Sequence, residues 1–464
     1  MTPLSFEERS TAWRYWNWDP SNDRDFTALP VLTLSQATSK HSQWTQEIRY
    51  AGNLSKKLSG VIGVFAIGQD LKTDPYHIEE SGAAQWRFSQ STTSNLWETP
   101  GLFEGYGIKT KSRLKTFGAA VFAQVDWAII DQLHLLPGIR YNYDKKEVDF
   151  DRTTYGGLET DDPALIALKR QVYTDQAFTA DVDESNISGQ LTLSYKPAKG
   201  FNFFGTIATS YKPVGINLGG LPTANGEILL DLARVKPEYV RHAEIGVKTK
   251  PSRKSTLNLT IHNTNIEDYQ TQVQTAEVGV NRGYLANAEE IQVFGVELDG
   301  DVKFNKNLSL YGAVTYTKGE YVSFTNAPVP LEETGAPSAF KDISGSALPG
   351  ISEWAGSLGG ELSSNQGKLL GQEGKFFIAA DTYYRSDFSS SPSPSQYLNV
   401  DGYSLLNARL GFRASQGVSL TLWARNLFDK DYFEQLLPAA GNAGHYAGVI
   451  GDPRTYGVTL RYSY

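Results

Sequence analysis

The chain has 464 residues, 12% of them aromatic, with 43 Gly, one Met, no Cys and a net charge of −8. Without Cys there is no disulfide framework, thiolate metal site or Cys nucleophile. The aromatic content and the unperiodic Gly exclude collagen-like and low-complexity chains. The acidic balance provides no basic footprint for nucleic acid.

No apolar run approaches the ~18 residues that a membrane helix needs. One of the longest, near Val61 to Gly68, has the length of a strand. The opening MTPLSFEERSTAWRYW places Glu7, Glu8 and Arg9 where a secretory leader would be apolar, so no signal peptide is expected. A membrane barrel remains open, because its strands cross with only ~9–11 alternating residues.

The dominant pattern is period two. Phe117, Ala119, Val121, Ala123, Val125, Trp127 and Ile129 share one face, with Gly118, Gln124 and Asp126 on the other. Ile187, Leu191, Leu193 and Tyr195 alternate with Ser188, Gln190, Thr192 and Ser194. Phe294, Val296, Leu298, Val302 and Phe304 oppose Glu297, Asp299, Asp301 and Lys303. About sixteen such segments follow from this alternation. In chain order they lie near 9–18, 43–52, 57–70, 113–128, 132–150, 184–197, 200–212, 238–250, 254–275, 284–304, 307–322, 351–364, 374–386, 402–414, 417–428 and 454–464.

Short polar links, such as Asn53–Lys56 and Pro251–Arg253, alternate with long ones at 19–42, 71–112, 151–183, 213–237, 323–350, 387–401 and 429–453. The fold class expected is therefore all-β: a transmembrane up-and-down antiparallel β-barrel, with short periplasmic turns and long outer loops. A soluble propeller would repeat every ~40–45 residues, and no such repeat is present. A sandwich does not account for apolar faces that end in Tyr, Trp and Phe, as membrane girdles do.

Two C-terminal pieces stand out, Asn426-Leu427-Phe-Asp-Lys-Asp-Tyr432 and Gly451-Asp-Pro-Arg-Thr-Tyr-Gly457. Within them Asn426, Leu427, Asp429, Tyr432, Gly451, Pro453, Arg454 and Gly457 carry a resemblance to the end of a TonB-dependent outer-membrane receptor. Gln46-Glu-Ile-Arg49 and the stretch from Asn287 and Ala288 to Gly295-Val-Glu297 are similar to strands of that family. The last segment alternates Tyr456, Val458, Leu460, Tyr462 and Tyr464, and resembles the terminal strand that the barrel-assembly machinery recognises.

The resemblance covers essentially the whole chain, 1–464, as one partial barrel domain. It implies a barrel of about 22 strands with a plug in its lumen. Against that pattern about six strands, the plug, the energy-coupling box and the signal peptide are expected to be missing. The resemblance implies that such a sheet closes only as a smaller barrel or by pairing with a supplied N-terminal part, since open edges are costly in lipid.

No catalytic constellation emerges. The six His form no metal spacing, and no phosphate loop or nucleophile elbow occurs. His134 and His242 are expected to face the lumen, and Ser386 to Ser395 reads as a flexible outer loop. The chain is expected to be no enzyme and to need neither metal nor cofactor. Candidate ligand contacts are the loop residues Tyr76, His77, Trp86, Trp97, Tyr155, Gln435, Asn442, His445 and Tyr446, because exposed aromatics and amides suit recognition.

The resemblance implies a receptor in the bacterial outer membrane. It would bind a scarce nutrient, a ferric siderophore first, and pass it inward with energy from the inner-membrane TonB complex. Its partners would include outer-membrane lipid and lipopolysaccharide and the assembly machinery, with no nucleic acid. A passive porin-like channel is the alternative.

Overall fold

The computed structural model describes residues 5–18, 33–79, 88, 94–221, 223–224, 227–274, 283–333, 338, 340–438 and 446–463. Sixteen long strands form one antiparallel meander. They are β1 (Ser5–Trp18), β2 (Thr33–Ser55), β3 (Leu58–Glu79), β4 (Gly107–Ile130), β5 (Leu133–Tyr155) and β6 (Gln176–Tyr195). Then come β7 (Phe201–Lys212), β8 (Glu238–Ser252), β9 (Ser255–Gln274), β10 (Gly283–Lys303) and β11 (Leu308–Ser323). The last are β12 (Trp354–Ser363), β13 (Gln372–Arg385), β14 (Tyr403–Ala414), β15 (Val418–Arg425) and β16 (Thr455–Tyr462).

Each strand pairs with its sequence neighbour from β1 to β16. Among the described residues no ladder joins β16 to β1. The only α-helix longer than two turns among these residues is α1 (Pro163–Val172), and no described helix is long and apolar enough to cross a membrane.

The register aligns the apolar residues into rows. Ile48 lies opposite Val64, Val64 opposite Val121, Val121 opposite Tyr141 and Tyr141 opposite Ile187. Leu362, Ile378, Leu410, Leu422 and Val458 form a second such row. All ten are exposed, Ile187 by 65% and Val458 by 64%. Apolar side chains that stay exposed from β2 to β16 suit a hydrocarbon solvent, in which the backbone must be satisfied strand to strand.

The opposite face is polar and cross-linked. Arg140 Nε donates to Asn142 Oδ1 at 2.6 Å, and Asn142 Nδ2 to Ser188 Oγ at 3.3 Å. Asp381 accepts from Asn407 Nδ2 at 2.8 Å and Arg409 Nη2 at 3.0 Å. Arg413 grips Glu361 with both guanidinium nitrogens, at 2.5 and 2.8 Å.

The strands run further than the alternation indicated. β3 and β4 have 22 and 24 residues, so at ~3.3 Å per residue they rise well beyond a hydrocarbon core about 30 Å thick. Above the apolar rows the outward face of β3 to β6 is charged, with Arg113 bidentate on Asp70 and Lys145 on Glu147 at 2.7 Å. Charge ended the apolar pattern there without ending the ladder.

Placing a cation in an outward row costs about 2–4 kcal/mol. Ile378→Arg is therefore expected to lower unfolding stability in lipid by that amount. Gln190→Arg, on the polar face, should change it by less than about 1 kcal/mol. Urea titration of vesicle-folded protein measures both.

Candidate functional site

The described long links fold into three packed groups at one end of the sheet. The first joins the β3–β4 link to α1. Asp162 caps α1 by accepting from Ala164 N at 2.8 Å, and Pro163 opens the helix. Leu165 and Val172 bury against Leu102, Phe103 and Tyr106, with Trp97 packed alongside. Tyr106 donates its hydroxyl to the Tyr173 carbonyl at 2.9 Å, and Lys169 stacks on the Tyr106 ring at 4.8 Å. The 151–183 link was expected to be a plain loop; Asp162-Pro163 ahead of ALIALKRQV was the available helix signal.

The second group is the β7–β8 link, 213–237, which folds inward. Val148, Phe150 and Arg152 of β5 share parity with Asn142, on the face opposite Tyr141. Val148, Phe150, Phe178 and Ala180 pack with Leu221 and Ala233 of the link. Polar side chains then pin its backbone. Arg152 Nη2 donates to Gly219 O at 2.5 Å and Lys146 Nζ to Val214 O at 2.6 Å. Gln176 exchanges two bonds of 2.9 Å with Leu221, and Asn217 bonds both the N–H and the carbonyl of Leu285. Arg152, Gln176 and Asn217 are all buried. Sequence reading missed them, because what they bind is distant backbone.

The third group knits the β11–β12, β13–β14 and β15–β16 links. Within the last, Phe433–Pro438 and Tyr446–Ile450 form a hairpin. Tyr446 donates to Glu332 Oε2 at 2.7 Å, and Gln396 N donates to Glu332 Oε1 at 3.0 Å. The Tyr397 ring lies tilted against that of Tyr446 at 5.0 Å, and Leu436 N donates to Ser390 Oγ at 3.2 Å. Ser391, Ser393 and Ser395 are buried, and Ser393 Oγ reaches the Pro328 carbonyl at 2.5 Å. The 386–395 stretch, expected to be a flexible loop, is a pinned one. Partial burial works to raise the Glu332 carboxyl, but the hydrogen bonds from Tyr446, Ser395 and Gln396 outweigh it and hold the carboxyl below its ordinary range.

The candidate contacts separate accordingly. Tyr76 and His77 are not in a loop: they sit in β3, paired across to Thr110 and Lys109 of β4. Tyr155 is the last residue of β5, its ring 5.9 Å from that of His77. Trp97 lies in the short helix Leu96–Glu98 and serves the first group's core. Gln435 and Tyr446 both lie on the terminal hairpin, where they pair with Val449 and Pro438 respectively. Trp86, Asn442, His445 and Tyr464 lie outside the described residues. His134 bonds Asp126 at 2.6 Å and His242 bonds Thr264 at 2.8 Å, both on the polar face.

The two C-terminal motif pieces form one clasp across the base of that hairpin. Asn426, buried with φ +46°, donates to the Lys430 carbonyl at 2.9 Å and the Asp452 carbonyl at 3.1 Å, and accepts from Lys430 N at 2.9 Å. Leu427 N ties the turn to Leu406 O at 2.7 Å. Asp429 accepts from Arg454 N at 3.0 Å, and Arg454 Nη2 returns to its carboxylate at 3.3 Å. Gly451 N donates to Tyr432 O, and a Cβ there would lie 2.0 Å from the Tyr432 ring. Gly457 leaves room for Trp423 in the same way. Pro453 lies exposed in the extended run between Gly451 and β16.

Removing Asn426 leaves the part-buried backbone groups of Lys430 and Asp452 without these bonds, at about 1–3 kcal/mol. Asn426→Ala is expected to destabilise by at least that range, and Asn426→Gly, which tolerates φ +46°, by less than Ala, by urea unfolding. The Glu332 junction depends on pH in one direction. Its folded carboxyl titrates below the unfolded value, so its contribution is present above that value and lost as pH falls through the folded one. The protection factors of the Tyr397 and Tyr446 amides, corrected for intrinsic exchange, should fall as pH drops below the ordinary carboxylate range, and Glu332→Gln should remove that fall.

Residues 4–427 match the family model described as TonB dependent receptor-like, beta-barrel. The pesticin receptor of Yersinia enterocolitica is 24% identical over 339 residues, 71% of this chain and 43% of its own. A probable TonB-dependent siderophore receptor, PiuA of Acinetobacter baumannii, is 24% identical over 58% of this chain and 33% of its own. The ferric yersiniabactin uptake receptor FyuA of Yersinia pestis superposes with a TM-score of 0.69 at 15% identity, covering 99% of this chain and 58% of that one. The solved PiuA structure gives 0.66 at 18%, covering 99% and 61%. The chain thus spans less than half the length of these curated relatives. The family match, the outward apolar rows and the alternating links agree: the chain belongs to the TonB-dependent receptor β-barrel family of the bacterial outer membrane.

Proposed function

We propose that the barrel receives a ferric siderophore at its loop end and passes it inward. The observation that carries this reading is the interlocked mouth: three links fixed to one another through Glu332 and Tyr446, with the Tyr397 and Tyr446 rings in contact and Gln435 exposed on the same hairpin. Ordered aromatics and amides at such a mouth bind a planar, polar chelate with little ordering cost. The named siderophore receptors among the relatives favour iron chelates over other nutrients. Energy would come from the inner-membrane TonB complex through a plug in the lumen. Surface lipopolysaccharide would surround the wall, and the assembly machinery would read the Tyr456–Tyr462 strand. The reaction is transfer without bond chemistry, so no catalytic group is required.

The inward link 213–237 favours a second reading, since a passive channel also narrows at a pinned inner loop. Titration with ferric siderophores separates the two. Intrinsic fluorescence of the detergent-folded chain should saturate with one ferric siderophore. Tyr446→Ala and Gln435→Ala should each weaken that binding about tenfold. Trp97→Ala should lower stability and leave affinity unchanged. Unsaturable responses to every chelate, with steady ion conductance in a planar bilayer, would favour the channel.

A further inference from the structure

The outward wall of β2 to β5 changes character at one level. On β4 the apolar stripe runs from Trp127 up to Phe117, and Lys115, Arg113, Lys111 and Lys109 continue the same face above it. At ordinary strand rise and tilt the stripe climbs about 25 Å along the membrane normal, the height of a barrel's apolar band. The link above Gly107 is long and the turn below Ile130 is short, so Phe117 stands at the outer membrane surface. A pocket of about 320 Å³ lies across this boundary. Its floor is Trp44 and Phe117, whose rings lie 6.5 Å apart. Gly68 makes room for the Trp44 ring, because a Cβ there would collide with its Nε1.

The rim of the pocket is Asp70, Lys115, Lys145 and Glu147. Register puts Lys115 between Asp70 and Glu147. Both carboxylates are engaged by other cations. Arg113 holds Asp70 through Nε and Nη2 at 2.9 and 2.5 Å, and Lys145 holds Glu147 at 2.7 Å. Exposed Lys115 forms no hydrogen bond or salt bridge among the described residues. It faces away from whatever the lumen encloses, and β3, β4 and β5 each have both their neighbours. Around it the outward side chains of β2 to β4 are mostly cations, with Lys40, Lys72, Lys109 and Lys111 against Asp70 and Asp74. The outward side of β5 and β6 is the reverse, with Glu147, Asp149, Asp151, Asp181 and Asp183 against Lys145. The two stripes together direct an anion to β4, over the aromatic floor. A wall that is apolar below and cationic above matches an amphiphile with an anionic head. Interfacial anchoring accounts for the two aromatic rings alone and leaves the unbonded ammonium without a role.

We infer that this pocket seats one phosphorylated glycolipid of the outer leaflet, its phosphate on the Lys115 and Lys145 ammoniums and its first acyl methylenes on Trp44 and Phe117. The inference rests on the outer-membrane placement and narrows the lipopolysaccharide contact proposed above from a surrounding solvent to a single seat. It does not involve the loop-end residues. A failure here would leave the siderophore reading standing, and the reverse.

The experiment is native mass spectrometry of the full chain in non-ionic detergent. Lipid A is titrated in one arm, lipid A stripped of its phosphates in a second, and sodium phosphate is added as a competitor in a third. One lipid A per chain is expected at saturation, with the stripped form about tenfold weaker and sodium phosphate unable to displace it. Lys115→Gln with Lys145→Gln should weaken lipid A about tenfold, and Lys115→Arg should retain it. Lys115→Gln alone should also weaken it and covers the case in which the pair fails to fold. Lys318→Gln removes another outward cation, paired with Glu320 on β11, and should leave binding unchanged. Binding without saturation, equal affinity for the two lipids, displacement by sodium phosphate, unchanged affinity in the Lys115→Gln variants, or equal weakening by Lys318→Gln would overturn the inference.

Discussion

Everything in this molecule follows from where backbone amides find partners. In hydrocarbon an unpaired N–H or C=O costs several kcal/mol, so a chain that crosses by strands pairs each one along its length. That requirement fixes the period of two, the antiparallel meander and the register that lines Ile48, Val64, Val121, Tyr141 and Ile187 into one row. It also frees the other face. Because the ladder satisfies the backbone, the inner side chains can be spent on one another, as in the Asp381–Asn407–Arg409 and Glu361–Arg413 links.

What could be read in advance follows the same division. Strand identity was written locally: Phe117 to Ile129 and Thr455 to Tyr462 alternate so cleanly that each expected segment has its strand. Strand length was not, because above the membrane the outward residues turn from Phe117 to Lys115, Arg113 and Lys111 while the pairing continues. That is why Tyr76, His77 and Tyr155 looked like loop residues and are wall residues. The inner fastening of 213–237 was invisible for a different reason. Arg152, Gln176 and Asn217 each bind carbonyls or amides 15 to 68 residues away, and no short window contains both partners.

The family pieces show a further distinction. Asn426, Asp429, Tyr432, Gly451 and Arg454 were recognisable as a pattern, yet the pattern does not describe a ligand site. It describes a joint, in which a left-handed Asn and a Gly packed against a ring let β15 hand over to the terminal hairpin and return as β16. Residues that identify a family need not be those that choose its cargo. Here Tyr397, Tyr446 and Gln435 lie on the β13–β14 link and the terminal hairpin, outside that joint.

The tie between Glu332 and Tyr446 spans 114 positions of chain. Three surface links that would ordinarily drift apart in evolution are thereby yoked. A lengthened or shortened segment in any one shifts the anchor of the other two, so tolerated insertions should arise in matched sets, and a new specificity would be acquired by exchanging the trio rather than by editing a single arm.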